Sequence, residues 1–199
     1  MNANDIHYLT KRALKGDVEK ARIVLRYLDR YRVSVASISA YLIVFQFAMN
    51  LLDISEECRF CGGRCCKERG YIPIYQFDID DVTSMLGADA IRYFMKINSN
   101  YYLGRPCPFL KDWMCSINKV KPYACLSYPF ASEEIQIGLF NRESNHPYPQ
   151  PFIPHHCIAG YKAWKIISQA IDEFNAKNGR IPKPIELLEI LWRALNNIQ

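Results

Sequence analysis

Apolar positions in the first fifty residues recur at helical spacing. Val35, Ile38, Leu42, Phe45 and Met49 step by three, four, three and four, which places them on one helix stripe. Upstream, Ile23, Leu25, Tyr27 and Leu28 are interspersed with Lys20, Arg22, Arg26, Asp29 and Arg30, and Asp17 after Gly16 is a candidate N-cap. Residues 5–52 are therefore predicted helical. Asp78 to Lys96 also reads as helix, its first turn carrying Asp78, Asp80 and Asp81 where the helix dipole favours anions, and Gly87 is expected to break it in two. Near the end, Ile158–Lys177 and Ile185–Asn196 read as helices separated by Asn178-Gly179 and Pro182-Lys-Pro184, with Leu187, Leu188, Leu191 and Trp192 forming an apolar face. Short strands are predicted at Tyr71–Tyr75, Tyr101–Leu103, Trp113–Ile117 and Ile135–Phe140. Asn141–Pro154 holds four prolines and reads as a loop. The fold class is α+β, mostly α-helical.

One apolar run raises the question of a membrane. Between Arg32 and Asp53 lie twenty residues without a charge, long enough to cross a bilayer. Ser34, Ser37, Ser39, Gln46 and Asn50 interrupt it. Arg30 and Arg32 would also hold the N-terminus inside and send the cysteine-rich remainder to an oxidising space. A buried core helix is the expectation. A chain that is 50% hydrophobic and 23% charged is not disordered. Residues 1–33 carry eight Lys/Arg and four Asp/Glu, which reads as a solvated face that could meet an acidic partner. The formal charge of +5 counts every cysteine as a neutral thiol, and thiolates would bring it toward zero. No run of Lys/Arg interleaves with aromatics, so no nucleic-acid role is expected. Asn2–Thr10 lacks a secretory apolar run, which makes a reducing, cytoplasmic setting the expectation.

The cysteines change the picture. Eight thiols in 199 residues are too sparse for a disulfide scaffold, and a chain of this size does not need one. Four of them fall together as Cys58-x2-Cys61-x3-Cys65-Cys66, followed by Cys107, Cys115, Cys125 and Cys157. A C-x2-C turn lets two sulfurs face one centre, and Gly62-Gly63 free the backbone to wrap it. Adjacent cysteines diverge in extended chain. The Cys65-Cys66 pair therefore suggests two neighbouring centres, or one ligand plus one buried thiol. A zinc ribbon would pair two C-x2-C knuckles, and only one is present. Iron–sulfur ligation tolerates scattered thiolates, often beside proline, as with Pro106 and Pro108 around Cys107. An iron–sulfur cluster, [4Fe–4S] by preference, is the expected cofactor, with zinc as the alternative.

These motifs resemble a known family. Cys58-Arg-Phe-Cys61-Gly-Gly-Arg-Cys65-Cys66, Cys107-Pro-Phe-Leu110, Cys115-Ser-Ile117, Lys121-Pro-Tyr-Ala-Cys125 and Tyr128-Pro129 are similar to the YkgJ-like cysteine-cluster proteins, described as zinc- or iron-chelating domains and also found in flagellin lysine N-methylases. The resemblance spans residues 58–160. It implies that all eight cysteines, Cys58, Cys61, Cys65, Cys66, Cys107, Cys115, Cys125 and Cys157, belong to the metal-binding set. Ile117-Asn118 and Lys121-Pro122 stand where the family usually has Ile-Tyr and Arg-Pro. The thiols are unaffected, but Lys is a point charge where Arg is a planar fork. His155 and His156 read as loop polar residues beside Cys157. Phe109, Trp113, Tyr123 and Tyr128 crowd the Cys107–Cys125 stretch and are expected to shield the centre from water.

The resulting division is an N-terminal helical part at 1–57, a cysteine-cluster core at 58–160 and C-terminal helices at 161–199, in one compact domain whose irregular loops wrap one or two metal centres. No G-x-G-x-x-G, P-loop, H-E-x-x-H or G-x-S-x-G motif occurs. The leading expectation is an iron–sulfur protein with a redox or protein-modification role and a protein partner or substrate. A zinc-stapled interaction module is the second. A protein lysine N-methyltransferase, or its accessory, rests on the resemblance alone.

Overall fold

The computed structural model describes residues 3–31, 33–130 and 148–196. The expected strand Ile135–Phe140, the first part of the loop Asn141–Pro154 and His146 lie outside them. The chain divides into two compact units: Met1–Asp53 together with Ser127–Gln199, and Ile54–Leu126. Among the described residues, 127–130 and 148–160 fall in the unit that holds the terminal helices.

The first unit is helical. Its elements are α1 (Ala3–Leu14), α2 (Val18–Leu28), α3 (Ser34–Leu51), α8 (Ile158–Asn178) and α9 (Pro184–Asn196). Helix α3 is the hub, packing against α1, α2, α8 and α9. That explains its composition. Ile38, Leu42, Phe45 and Met49 of the predicted stripe are buried, and so are Ile43, Val44, Phe47 and Ala48 beyond it, so the helix needs no polar face. Val35, at the first turn, is half exposed. Phe45 sits edge-on to Phe130 and Trp164, with ring centroids at 6.0 and 5.3 Å, and Phe47 meets Trp192 at 6.2 Å. Gln46 donates its Nε2–H to the Phe130 carbonyl at 3.0 Å. Among the described residues no single helix is long and apolar enough to cross a membrane.

Asp17 caps α2 as expected, accepting the Lys20 N–H at 3.0 Å. The basic surface read from residues 1–33 is partly used within the unit: Arg22 grips Glu189 of α9 through two bonds of 2.6 and 2.7 Å. At the start of α9, Glu186 accepts the Lys183 N–H at 2.8 Å and two bonds from the Arg180 guanidinium at 2.6 and 2.7 Å. Gly160 on α8 is a close-approach point. A Cβ there would lie 2.7 Å from Pro129 Cγ and 2.9 Å from Ile153 Cγ2.

The second unit is α+β. Along the chain it runs α4 (Ser55–Cys61), α5 (Arg64–Lys67), β1 (Gly70–Ile74), α6 (Gln76–Leu86), a 3-10 helix (Ala88–Tyr93), β2 (Phe94–Ile97), β3 (Asn100–Arg105), β4 (Leu110–Lys111), β5 (Met114–Cys115), a second 3-10 helix (Asn118–Val120) and α7 (Tyr123–Ser127). Strands β1 and β2 flank β3, both antiparallel, and β4 pairs with β5. The inner sheet face supplies Ile74, Phe94 and Leu103 to a core shared with Ile79 and Val82 of α6, Ala90, Phe109 and Ile117. The predicted helix Asp78–Lys96 breaks at Gly87 as expected, where φ is 92°, and continues as the 3-10 helix; only its last residues are corrected, Phe94–Lys96 pairing with β3 instead. The predicted strand Trp113–Ile117 shrinks to Met114–Cys115.

Candidate metal centre

Seven of the eight cysteines belong to the Ile54–Leu126 unit, and backbone geometry brings Cys65, Cys66 and Cys107 together. Cys58 and Cys61 lie three apart on α4 and therefore share a helix face. Gly62 and Gly63 follow, both left-handed at φ 64° and 68°, and reverse the chain into α5. The turn is closed by the Gly63 N–H donating to the Cys58 carbonyl at 3.2 Å. No larger residue fits at Gly63, because a Cβ would come within 2.9 Å of Leu110 Cδ1 and 3.2 Å of the Trp113 carbonyl oxygen. The glycine thus lets the cysteine turn pack on the β4–β5 hairpin, which carries Cys115.

The adjacent pair departs from the extended-chain expectation. Cys65 and Cys66 lie within the helical turn α5, where neighbouring side chains are not forced to opposite faces, and their sulfurs are 4.0 Å apart. Cys107 joins them through its backbone, its N–H donating to the Cys66 carbonyl at 2.8 Å. Arg105, two residues earlier, donates from Nη1 to the Cys65 carbonyl at 3.1 Å. Cys125 sits on α7, whose first residue is anchored by the Tyr123 N–H to Asp78 Oδ1 at 2.9 Å.

The thiols feel one another. A sulfur hydrogen bond to Cys107, another to Cys65 and partial burial hold the Cys66 proton on, while bonding to Cys66 draws Cys65 and Cys107 toward thiolate. Burial pushes Cys125 up to about 12 and raises Cys58 and Cys115. Lys121 is the common cation. Its charge lowers Cys58, Cys65, Cys115 and Cys125 against those effects. Cys61 completes the set through its charge interaction with Cys58 and its Sγ contact, 3.5 Å from the Cys58 carbonyl. Cys107 and Cys115 pack on the apolar core, so one side of the thiol group is a dry wall.

The remaining predicted residues fall elsewhere. Cys157 belongs to the other unit, buried at the N-cap of α8. His156 beside it bonds through Nε2 with the Tyr128 hydroxyl at 3.0 Å, which gives that imidazole a structural partner. Of the expected shielding aromatics, Phe109 is buried against Tyr93 at 5.0 Å, and Tyr123 meets Tyr75 at 5.8 Å. Phe60, between Cys58 and Cys61, is 84% exposed. Sequence reading overlooked Arg105 and the anchoring role of Asp78. The Arg-Pro-Cys run was the available signal for the first.

All eight cysteines are free thiols, with no disulfide among the described residues. Nor is any group of three or more His, Cys, Asp or Glu among the described residues placed to hold a metal ion as it stands. The donor chemistry nonetheless fits a soft, thiophilic metal, since the candidate donors are thiol sulfurs.

Residues 57–147 match the family model CxxCxxCC, described as "Putative zinc- or iron-chelating domain". No curated protein and no solved structure gives a significant match. The match takes in the seven cysteines of the Ile54–Leu126 unit and leaves Cys157 outside. Three residues, Gly62-Gly63-Arg64, separate Cys61 from the double cysteine in this chain, and the first two form the left-handed turn described above. Over residues 57–147 the chain is therefore similar to the CxxCxxCC family, whose model is described as a zinc- or iron-chelating domain.

Proposed function

We propose that the Ile54–Leu126 unit holds an iron–sulfur cluster on its cysteine thiolates and uses it in electron transfer or in modifying a protein partner or substrate. One observation carries this reading. Seven thiols lie in one unit and are electrically coupled, more than a single four-coordinate ion takes. An iron–sulfur cluster supplies one-electron chemistry whose potential follows net charge, hydrogen bonds to sulfur and burial. The chain's residues act on each of these. Lys121 offsets thiolate charge, the core formed by Phe109, Ile117 and their neighbours excludes water on one side, and the α4–α5 turn aims the sulfurs.

Zinc is the second reading, supported by the 4.0 Å separation of Cys65 and Cys66. A tetrahedral zinc–thiolate site has sulfurs about 3.8 Å apart, the edge set by zinc–sulfur bonds of about 2.3 Å. Anaerobic purification with a visible spectrum and iron, sulfide and zinc analysis decides between them. The expected result is a brown protein with a broad band near roughly 400 nm and matching iron and sulfide. Colourless protein with zinc and no iron overturns the iron–sulfur reading and makes the centre structural.

A further inference from the structure

Arg105 is placed as few surface arginines are. It ends β3 opposite Gly70 of β1. A Cβ at Gly70 would lie 3.2 Å from the guanidinium Nη2, so the glycine leaves the notch open, and its φ of 129° resists replacement. On the other side Nη1 donates to the Cys65 carbonyl at 3.1 Å. The chain then continues through Pro106 to Cys107, whose N–H bonds the next carbonyl, that of Cys66. Arg105 and Cys107 thus stitch one stretch of backbone onto two successive peptides of the double-cysteine turn.

Within this arrangement the Arg105 Nε–H is buried and has no hydrogen-bond partner among the described residues. A buried N–H without an acceptor costs about 1–3 kcal/mol, so such groups find partners when the site is complete. The backbone of Cys65 and Cys66 is tied to Arg105 and Cys107 by these bonds, Cys107 lies two residues on, and the guanidinium charge already acts on it. Metal-bound sulfur is an acceptor, and bonds to it are among the means by which proteins hold and tune such centres.

We propose that Arg105 is a positioning residue of the metal centre: anchored on the Cys65 carbonyl in the Gly70 notch, it gives its Nε–H to a metal-bound sulfur and supplies a fixed positive charge there. The inference rests on the metal-binding reading above and names a residue outside the cysteine set. Lys121 shares the charge role. Arg105 differs in being locked by its backbone contacts, so direction as well as charge is supplied.

The test uses the full chain and the variants Arg105→Gln and Arg105→Lys. Each is loaded anaerobically with ferrous iron and sulfide in one series and with zinc in another. Release to a chelator is timed, and the midpoint potential is measured in the iron series. Both variants are expected to release metal about tenfold faster than wild type. In the iron series the Gln variant is expected to shift to a more negative potential, with Lys restoring part of the shift through its charge. A merely structural arginine would not move the potential in this order. Release rates and potentials equal to wild type in both variants would overturn the inference while leaving the metal reading intact. A wild-type chain that loads neither metal overturns both. Should the Gln variant fail to fold, the charge-conserving Lys variant still reads out the missing Nε–H.

Discussion

Asp78 has no exposed surface, yet its carboxylate accepts two backbone N–H groups, from Tyr75 at 3.1 Å and from Tyr123 at 2.9 Å. One bond fixes the start of α6 and the other the start of α7, two residues before Cys125. Asp78→Ala is expected to cost about 2–4 kcal/mol, because two buried donors lose a charged acceptor, and denaturant unfolding would show it. Gly63→Ala should cost about 1–3 kcal/mol through strain against Leu110 and the Trp113 carbonyl, and should loosen metal retention with it. Cys61→Ser is expected to abolish metal binding and lower the melting temperature. A variant that keeps its metal and its melting point would remove Cys61 from the ligand set. The thiols themselves were legible in the sequence, since their spacing is local. The role of Asp78 was not. It reads locally as an acid in a first turn, and the partner that explains its burial lies 45 residues away.

Among the elements, helices were legible where the apolar period ran unbroken, as in α8 and α9, and less so where a strand partner decided the outcome. Phe94–Ile97 has the composition of a helix end, but pairing with β3 claims its backbone. The same competition trims the predicted strand around Cys115. At the start of α9 the helix depends on charge. The Arg180 guanidinium first, and the Lys183 N–H second, hold the Glu186 carboxyl down to about 2. A carboxylate lowered from the ordinary 4.5 contributes stability that is present above that value and is lost as the pH falls toward 2. The pair is partly exposed, so the gain is small. Glu186→Gln should therefore destabilise the protein by about 0.5–1 kcal/mol at neutral pH and by nothing near pH 2, a convergence that unfolding at both pH values would show. Phe45→Ala in α3 works at a different magnitude. It empties the space between Phe130 and Trp164 and is expected to cost about 3–5 kcal/mol.

For the molecule as a whole, the sequence placed a cysteine core between two helical stretches, but not the way the chain closes. The N-terminal helices complete their packing with α8 and α9, and the cysteine unit is inserted between the two halves. That arrangement depends on contacts between distant residues, which no local pattern encodes. Metal loading should slow amide exchange within Ile54–Leu126, because ligation ties α4, α5, β5 and α7 together. Equal exchange in loaded and metal-free protein would argue against ligands from all four elements. The insertion also sets a timetable for biosynthesis. Helix α3 leaves the ribosome about 130 residues ahead of α9. At about 5–20 residues per second it waits roughly 6 to 26 s for that partner. During this interval the cysteine unit emerges and then α8, and until α8 does, α3 has only α1 and α2 of its packing partners to lie against. The apolar surface of α3 and the thiols of the cysteine unit are therefore exposed on the nascent chain at the same time.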